Sequence, residues 1–355
     1  MQCHDFLVFH GLEREKVNQS EVLKLSRKVE IIAEVAQGFE GNETLVDLLV
    51  RGALSSGCDS IKFQLVYADE LATPDYMHYE LFKSLEMDTT KWSEICELVH
   101  LDEKRIYFDV FGLTSLEVAR KAGADGVKIS TTEFYNSRLF SASLTYFNRI
   151  FLSIGGIPVE DIEKKLSGLT VSEREKIFLM YGFQSEPTPI EQNNLRKITL
   201  FKEKFPDFKI GFMDHSDGGH EDSIHLSLVA LGMGIDVIEK HITLDHELEI
   251  EDFVSGLTPS SFSNFVRVID RLETSLGQYS LELSHLEEEY RSNATKSVVA
   301  LRDLRAGEEI TDEMVSLKRS AAGIISGSIM NLESVIGRVL KTDVKENIQI
   351  LEDMI

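Results

Sequence analysis

With 355 residues and a formal net charge of −23, the chain can hold one large α/β domain and a smaller one, and it is too acidic for a nucleic-acid or anionic-membrane surface. The three cysteines, Cys3, Cys58 and Cys96, form neither a metal-knuckle nor a disulfide-framework spacing, so a reducing, cytoplasmic setting is expected. No stretch is apolar for long enough to span a bilayer, and the opening MQCHDFLVFH lacks a basic segment followed by an apolar core.

Residues 1–29 read as an N-terminal extension that covers the bottom of the larger domain. From Glu30 a rhythm begins: the apolar runs EIIAEVA, SIKFQLVY, RIYFDVF, GVKIS, RIFLSIGG, KIFLMYG, KIGFMDH and VIEKHITL recur. Each is followed by a segment of helical period, from ETLVDLLVRGALSSG after the first to PSSFSNFVRVIDRLETSLG after the last. Continuous apolar runs alternating with amphipathic helices predict parallel strands covered on both faces. Eight such units over residues 30–277 predict a (β/α)8 TIM barrel. An open doubly wound sheet is the alternative; the count of eight and the lack of a dinucleotide glycine fingerprint after the first strand favour the barrel.

Polar residues inside these runs carry the chemistry. Glu34 lies in the first run, Lys62 and Gln64 in the second, Lys128 and Ser130 in the fourth, and Tyr181 and Gln184 end the sixth. Lys62 and Gln64 are two apart, as are Lys128 and Ser130 and, in the eighth run, Glu239 and His241, so each pair faces one side of its strand. A lysine inside a barrel needs an anionic partner, and two of them suggest a site for a phosphorylated or carboxylated substrate. A structural Glu34–Lys62 ion pair would account for one lysine but less readily for both.

The seventh and eighth runs end in histidine, His215 in FMDHSDGG and His241 in VIEKHITL, with one helix-length segment and a Gly232–Gly234 break between them. In parallel strands both imidazoles emerge at the C-terminal edge, where such folds keep their sites. There they suit a divalent metal or a general base; two unrelated strand-end histidines are the plainer alternative. After Gly277 the polar stretch 278–295 reads as a linker, and 296–355 as a small domain of short strands that docks against something.

The segments IIAEVAQGFEGN, DSIKFQ, GVKISTTEFYN, GFQSEPTPIEQNNL, IGFMDHSDGG and VIEKHITLD, with SVVALRDLRAGEEIT and LKRSAAGI near the end, together resemble the sialic acid (nonulosonate) synthase family. The last two resemble its C-terminal antifreeze-like (SAF) module. The resemblance implies an enzyme that condenses phosphoenolpyruvate with an N-acylated mannosamine-like aldose, giving a nine-carbon 2-keto acid and phosphate. It implies His215 and His241 as ligands of Mn²⁺, with Mg²⁺ or Co²⁺ as alternatives. It implies Lys62, Gln64, Lys128, Thr131, Gln184 and Asp252 as substrate-binding residues, and Glu133, Glu34 and Arg319 as catalytic ones. Of these, Glu133 manages water or a proton at the second carbon, Glu34 meets sugar hydroxyls, and Arg319 reaches into the other subunit of a homodimer with exchanged SAF domains. The chain departs from the family pattern at Phe39 (usually His), Ile250 (usually Gly), Ser320 (usually Pro) and Lys296 (usually Arg). Phe39 and Ile250 are expected to border the sugar pocket and to favour a deoxy or acylated acceptor. N-acetylmannosamine and a legionaminic- or pseudaminic-type precursor both stay open as acceptors. So do a phosphorylated-sugar substrate and a non-catalytic sugar-binding role, which the joint presence of His215, His241, Lys62, Lys128 and Glu133 disfavours.

Overall fold

A computed structural model describes residues 29–355. The extension read over 1–29 lies, save for Val29, outside the described residues. The chain divides into two compact units between Gly277 and Gln278.

In the first unit eight parallel strands close into a barrel in sequence order, with β8 pairing back onto β1. They are β1 (Glu30–Ala36), β2 (Ser60–Leu65), β3 (Arg105–Val110), β4 (Gly126–Ile129), β5 (Ile150–Ser153), β6 (Ile177–Tyr181), β7 (Lys209–Asp214) and β8 (Val237–His241). The helices that cover them are α1 (Glu43–Ser56), α2 (Thr89–Leu101), α3 (Leu113–Ala122), α4 (Ser137–Tyr146), α5 (Val159–Leu166), α6 (Arg196–Lys204), α7 (Asp222–Gly232) and α8 (Pro259–Glu273). The expected (β/α)8 TIM barrel is the fold observed.

Local chemistry sets the helix ends. Asn42 caps α1, its side-chain oxygen accepting the N–H groups of Thr44 and Leu45, and Gly57 at φ 83° ends it in the left-handed region. Thr258 caps α8 and Pro259 fills its first turn, where no N–H is needed.

Alternation along each strand divides the barrel residues between two cores. Ile31, Ala33, Phe63 and Phe108 face outward against the helices, where Trp92 of α2 meets Phe63 and Phe108 edge-on at 5.4 and 5.3 Å. Ile32, Tyr107, Phe151, Phe178, Met180, Met213 and Val237 face inward and form an apolar plug across the barrel. Below the plug, Glu30 accepts hydrogen bonds from Tyr107 Oη at 2.6 Å and Ser60 Oγ at 3.0 Å. Above it, register places Glu34 beside both Lys62 and His241, and Asp109 beside Lys128.

Phe39 and Ile250, expected at the sugar pocket, belong instead to the outer core. Phe39 is fully buried and meets Trp92 edge-on at 5.4 Å; Ile250 is 5 % exposed. An apolar ring beside Trp92 and Phe63 gains more from that packing than from a polar cavity wall.

The second unit packs Val298, Ala300, Leu304, Ile310, Val315, Val335, Leu340, Val344 and Ile350 around an antiparallel pair, β9 (Ser297–Ala300) and β10 (Val315–Lys318). The stretch read as a linker contains a helix, α9 (His285–Ala294), that begins at a capping box of Ser284 and Glu287.

Candidate active site

A cavity of about 310 Å³ opens at the C-terminal end of the barrel. Of the residues predicted from sequence, Glu34, Lys62, Gln64, Lys128, Gln184, His215, His241 and Asp252 line it. Thr131 and Glu133 stand on the turn after β4 but are not in its lining: Thr131 Oγ1 donates to the Gly155 carbonyl at 3.2 Å, and Glu133 accepts from Asn136 Nδ2 at 3.0 Å. Their neighbours Ser130 and Thr132, two apart in the same turn, line the cavity, and their hydroxyls lie 2.7 Å apart. Arg319 belongs to the second unit, where its Nε donates to the Ala294 carbonyl at 2.8 Å.

Each site residue is held by its element. Lys62, Lys128 and Glu239 project from the middle of β2, β4 and β8, with no backbone freedom to spare. His215 follows β7, and its carbonyl accepts from Thr188 N at 2.8 Å and Ser255 Oγ at 3.0 Å. The preceding Asp214 is buried and accepts from Ser227 Oγ at 2.7 Å and Lys240 Nζ at 3.1 Å, which fixes the end of β7. Asp252 has φ 65°, a conformation that costs a non-glycine residue energy and is tolerated where a side chain must be aimed.

The floor of the cavity is an ion cluster. Lys62 Nζ contacts Glu34, lies 2.6 Å from Asp109 and 3.7 Å from Glu239; Lys128 Nζ lies 2.6 Å from Glu239 and 3.6 Å from Asp109. All five side chains are buried. Three carboxylates around two lysines cannot all ionise at ordinary cost. Burial pushes Glu34 up to about 8 against the pull of Lys62, and the charges of Glu239 and Asp109 add to the rise. Burial would also raise Glu239, but Lys128 and Lys62 hold it below the usual carboxylate range. Lys62 is held above the usual lysine range, because Asp109, Glu239 and Glu34 outweigh its burial. The shared proton therefore resides on Glu34 near neutral pH.

Above this floor the two imidazole rings lie 5.1 Å apart. Burial, with Lys128 second for His215 and His215 second for His241, lowers both, so both rings are neutral and free to ligate a cation. Each buried Nδ1 meets no hydrogen-bond partner. One ligand atom each from Glu186, His241 and Asp252 lie within 4.8 Å of one another. Burial and a hydrogen bond to Glu186 push Asp252 up to about 8. Orphaned imidazole nitrogens beside facing carboxylates are a donor set that fits a divalent ion of the Mn²⁺ or Mg²⁺ kind.

Asp109 and Glu186 line the cavity without having been singled out from sequence, and Glu239 lines it on the face of β8 expected from its pairing with His241. Asp109 could have been found: it lies two residues after Tyr107 in an otherwise apolar run and shares that residue's inward face. Glu186 sits in a loop with no period to mark it.

A larger cavity, about 460 Å³, lies at the N-terminal end of the barrel. There Glu30 is held by Arg105 at 3.3 Å and by Arg149, while Asp59 and Asp236 accept the N–H groups of Ile31 and Ile210. Such charges tie strand ends together, and that face of a (β/α)8 barrel serves stability. Among the described residues no helix is long and apolar enough to cross a membrane.

Most of the chain is similar to known proteins. The NeuB family model matches residues 49–280, and the SAF domain model matches 295–355. The N,N'-diacetyllegionaminic acid synthase of Campylobacter jejuni is 27 % identical over 339 residues, 90 % of this chain and 98 % of that protein. The human N-acetylneuraminate-9-phosphate synthase is 24 % identical over 341 residues, 92 % of each. Among solved structures, the N-acetylneuraminic acid (sialic acid) synthetase of Leptospira borgpetersenii, in complex with citrate, superimposes with a TM-score of 0.69 at 25 % identity, over 76 % of this chain and 93 % of that one. The spore coat polysaccharide biosynthesis protein of Bacillus subtilis shares the fold, with a TM-score of 0.61 at 22 % identity over 93 % of this chain and 96 % of its own.

Proposed function

Since this chain belongs to the NeuB family, we propose that it is a nonulosonate synthase, which condenses phosphoenolpyruvate with an N-acylated mannosamine-like aldose. The observation that carries this reading is one cavity that holds two buried lysines on its floor and, above them, two imidazoles whose buried Nδ1 atoms have no hydrogen-bond partner.

Phosphoenolpyruvate is a small polyanion. Lys62 and Lys128 supply its counter-charge, and the Ser130 and Thr132 hydroxyls supply donors to its oxygens. The π electrons between its second and third carbons form the new bond to the sugar's aldehyde carbon, while the aldehyde's π bond breaks onto its oxygen, which takes up a proton to become a hydroxyl. Water adds to the second carbon, and the bond from that carbon to the phosphate oxygen breaks, leaving the 2-keto acid and inorganic phosphate. Glu133, a half-buried carboxyl that burial holds above its ordinary range, is assigned to the proton that water gives up. Glu34 faces the sugar hydroxyls, while Gln64 joins Lys62 at the phosphate, its Oε1 held by Gln37 Nε2 at 2.7 Å. His215 and His241 would hold the divalent cation, Mn²⁺ in our reading with Mg²⁺ or Co²⁺ as substitutes. Such an ion withdraws electrons from the aldehyde and so makes it open to a weak carbon nucleophile.

Five carboxylates and two lysines line the cavity, and among the described residues no arginine does. That balance favours an acceptor without a second phosphate over a phosphorylated sugar. Phe39 and Ile250 are core residues and give no reason for the acceptor to be unusual. The working unit in this reading is a homodimer in which Arg319 of each copy serves the barrel of the other.

Phosphate release from phosphoenolpyruvate, measured with a panel of N-acyl hexosamines and their deoxy analogues before and after chelation, tests the proposal. In ¹⁸O-water the label should enter the keto acid. Label in phosphate, or no release with any sugar, would overturn it.

A further inference from the structure

Of the two carboxylates beside the histidines, Glu186 has no part in the proposed reaction and Asp252, expected to bind substrate, has no step in it. Glu186 lies on the loop after β6 and Asp252 on the loop after β8, and both line the cavity with His241. One ligand atom from each of the three lies within 4.8 Å of the others. Ligands on a single ion, at bond lengths of about 2.0–2.2 Å, lie at most about 4.4 Å apart. Only a pair on opposite sides of an ion can lie that far apart, and adjacent ligands lie about 3 Å apart, so the three side chains must draw inward to close on one ion.

A second observation is independent of the carboxylates. His241 is only 5 % exposed, and its Nδ1 is buried without a hydrogen-bond partner, a costly state for an imidazole unless something else takes up that nitrogen. Asp252 is held at φ 65°, which aims its side chain at the expense of backbone comfort. With no cation between them Asp252 and Glu186 are joined by a hydrogen bond, and an ion placed there would take over that bridging role with both groups charged.

We propose that Glu186 and Asp252 are direct ligands of the cation held by His241, so that the centre is a histidine–carboxylate cage rather than a histidine pair. This rests on the metal site of the proposed function and extends it. Carboxylate oxygens beside imidazole select harder ions of the Mn²⁺ kind and hold them in the absence of either substrate.

The test is Mn²⁺ binding to the chelator-stripped, full-length protein without substrates, followed by the electron paramagnetic resonance signal of free Mn²⁺. Glu186→Gln removes one charge at an exposed side chain while keeping its size, and urea unfolding checks that the fold is intact. Binding should weaken at least about tenfold in Glu186→Gln and in Asp252→Asn, with part of the affinity restored in Glu186→Asp. If Glu186→Gln and Asp252→Asn bind Mn²⁺ within twofold of the unaltered protein while His241→Ala does not bind, the cage is wrong and the histidine reading stands. If His241→Ala also binds normally, both fall.

Discussion

Replacing Asp109 by Asn should weaken the fold and tighten phosphoenolpyruvate at once. Asp109 stands 2.6 Å from Lys62 Nζ and 3.6 Å from Lys128 Nζ, all three side chains being buried. At an effective dielectric of about 20 these distances correspond to gross attractions of about 6 and about 5 kcal/mol, most of it offset by desolvation. Breaking a buried pair costs about 3–5 kcal/mol when a charge is stranded. Here Lys62 keeps Glu239 at 3.7 Å and Lys128 keeps it at 2.6 Å, so neither lysine is left without a carboxylate and the lower end, about 3 kcal/mol, applies. For a barrel of this size that is a fall of about 6–12 °C in Tm, read by calorimetry on metal-free protein. The same change removes one negative charge from the floor on which the substrate's phosphate is proposed to sit. Near pH 6, where Glu34 still keeps its proton, affinity for phosphoenolpyruvate should rise by about 1–2 kcal/mol, roughly fivefold to thirtyfold, by titration calorimetry. An unchanged Tm, or weaker binding, would refute the assignment of Asp109 as counter-ion to both lysines.

Three further outcomes are expected. Glu34 rises from an ordinary 4.5 to about 8 on folding, so the native state holds its proton more tightly; its contribution is complete below about pH 4.5 and is lost as pH rises through 8. Glu34→Gln should therefore flatten the fall in metal-free Tm between pH 5 and 8.5, and an unaltered slope would show that the proton lies elsewhere. Phe39→His puts a polar ring beside Trp92 and should cost about 1–3 kcal/mol in urea unfolding while leaving the order of acceptor preference unchanged; a new sugar preference would return Phe39 to the pocket wall. Mixing the separately inactive Arg319→Ala and His215→Ala proteins should restore part of the activity once subunits exchange, because one barrel then has both its own histidine and an intact arginine from the other copy. No recovery after proven exchange would place the arginine within its own chain or outside the reaction.

The barrel was legible because its signals are local. Eight apolar runs separated by helix-length periods specify strands and helices one unit at a time, and caps such as Asn42 and Thr258 mark the boundaries. The two-residue alternation in KFQ and KIS likewise places Lys62 with Gln64, and Lys128 with Ser130, on inward faces before any strand is paired. The helix at His285–Ala294 gives a weak periodicity signal because its only large apolar residues, Leu286 and Tyr290, stand among charged and polar ones and are both exposed, although its capping box is there to be read.

What the sequence by itself determined, then, is the order of elements, the inward polar residues and the end of the barrel at which they collect. The tertiary structure alone decided three things. Barrel closure brought Glu34, Asp109 and Glu239 around two lysines, so that one proton must be shared. It set Glu186 from one loop against Asp252 from another and against His241. It drew Phe39 away from the expected pocket and into the aromatic core beside Trp92. Strand period is a property of neighbouring residues and survives in the chain as written, whereas charge balance and packing depend on distances across the barrel, which exist only once β8 has closed on β1.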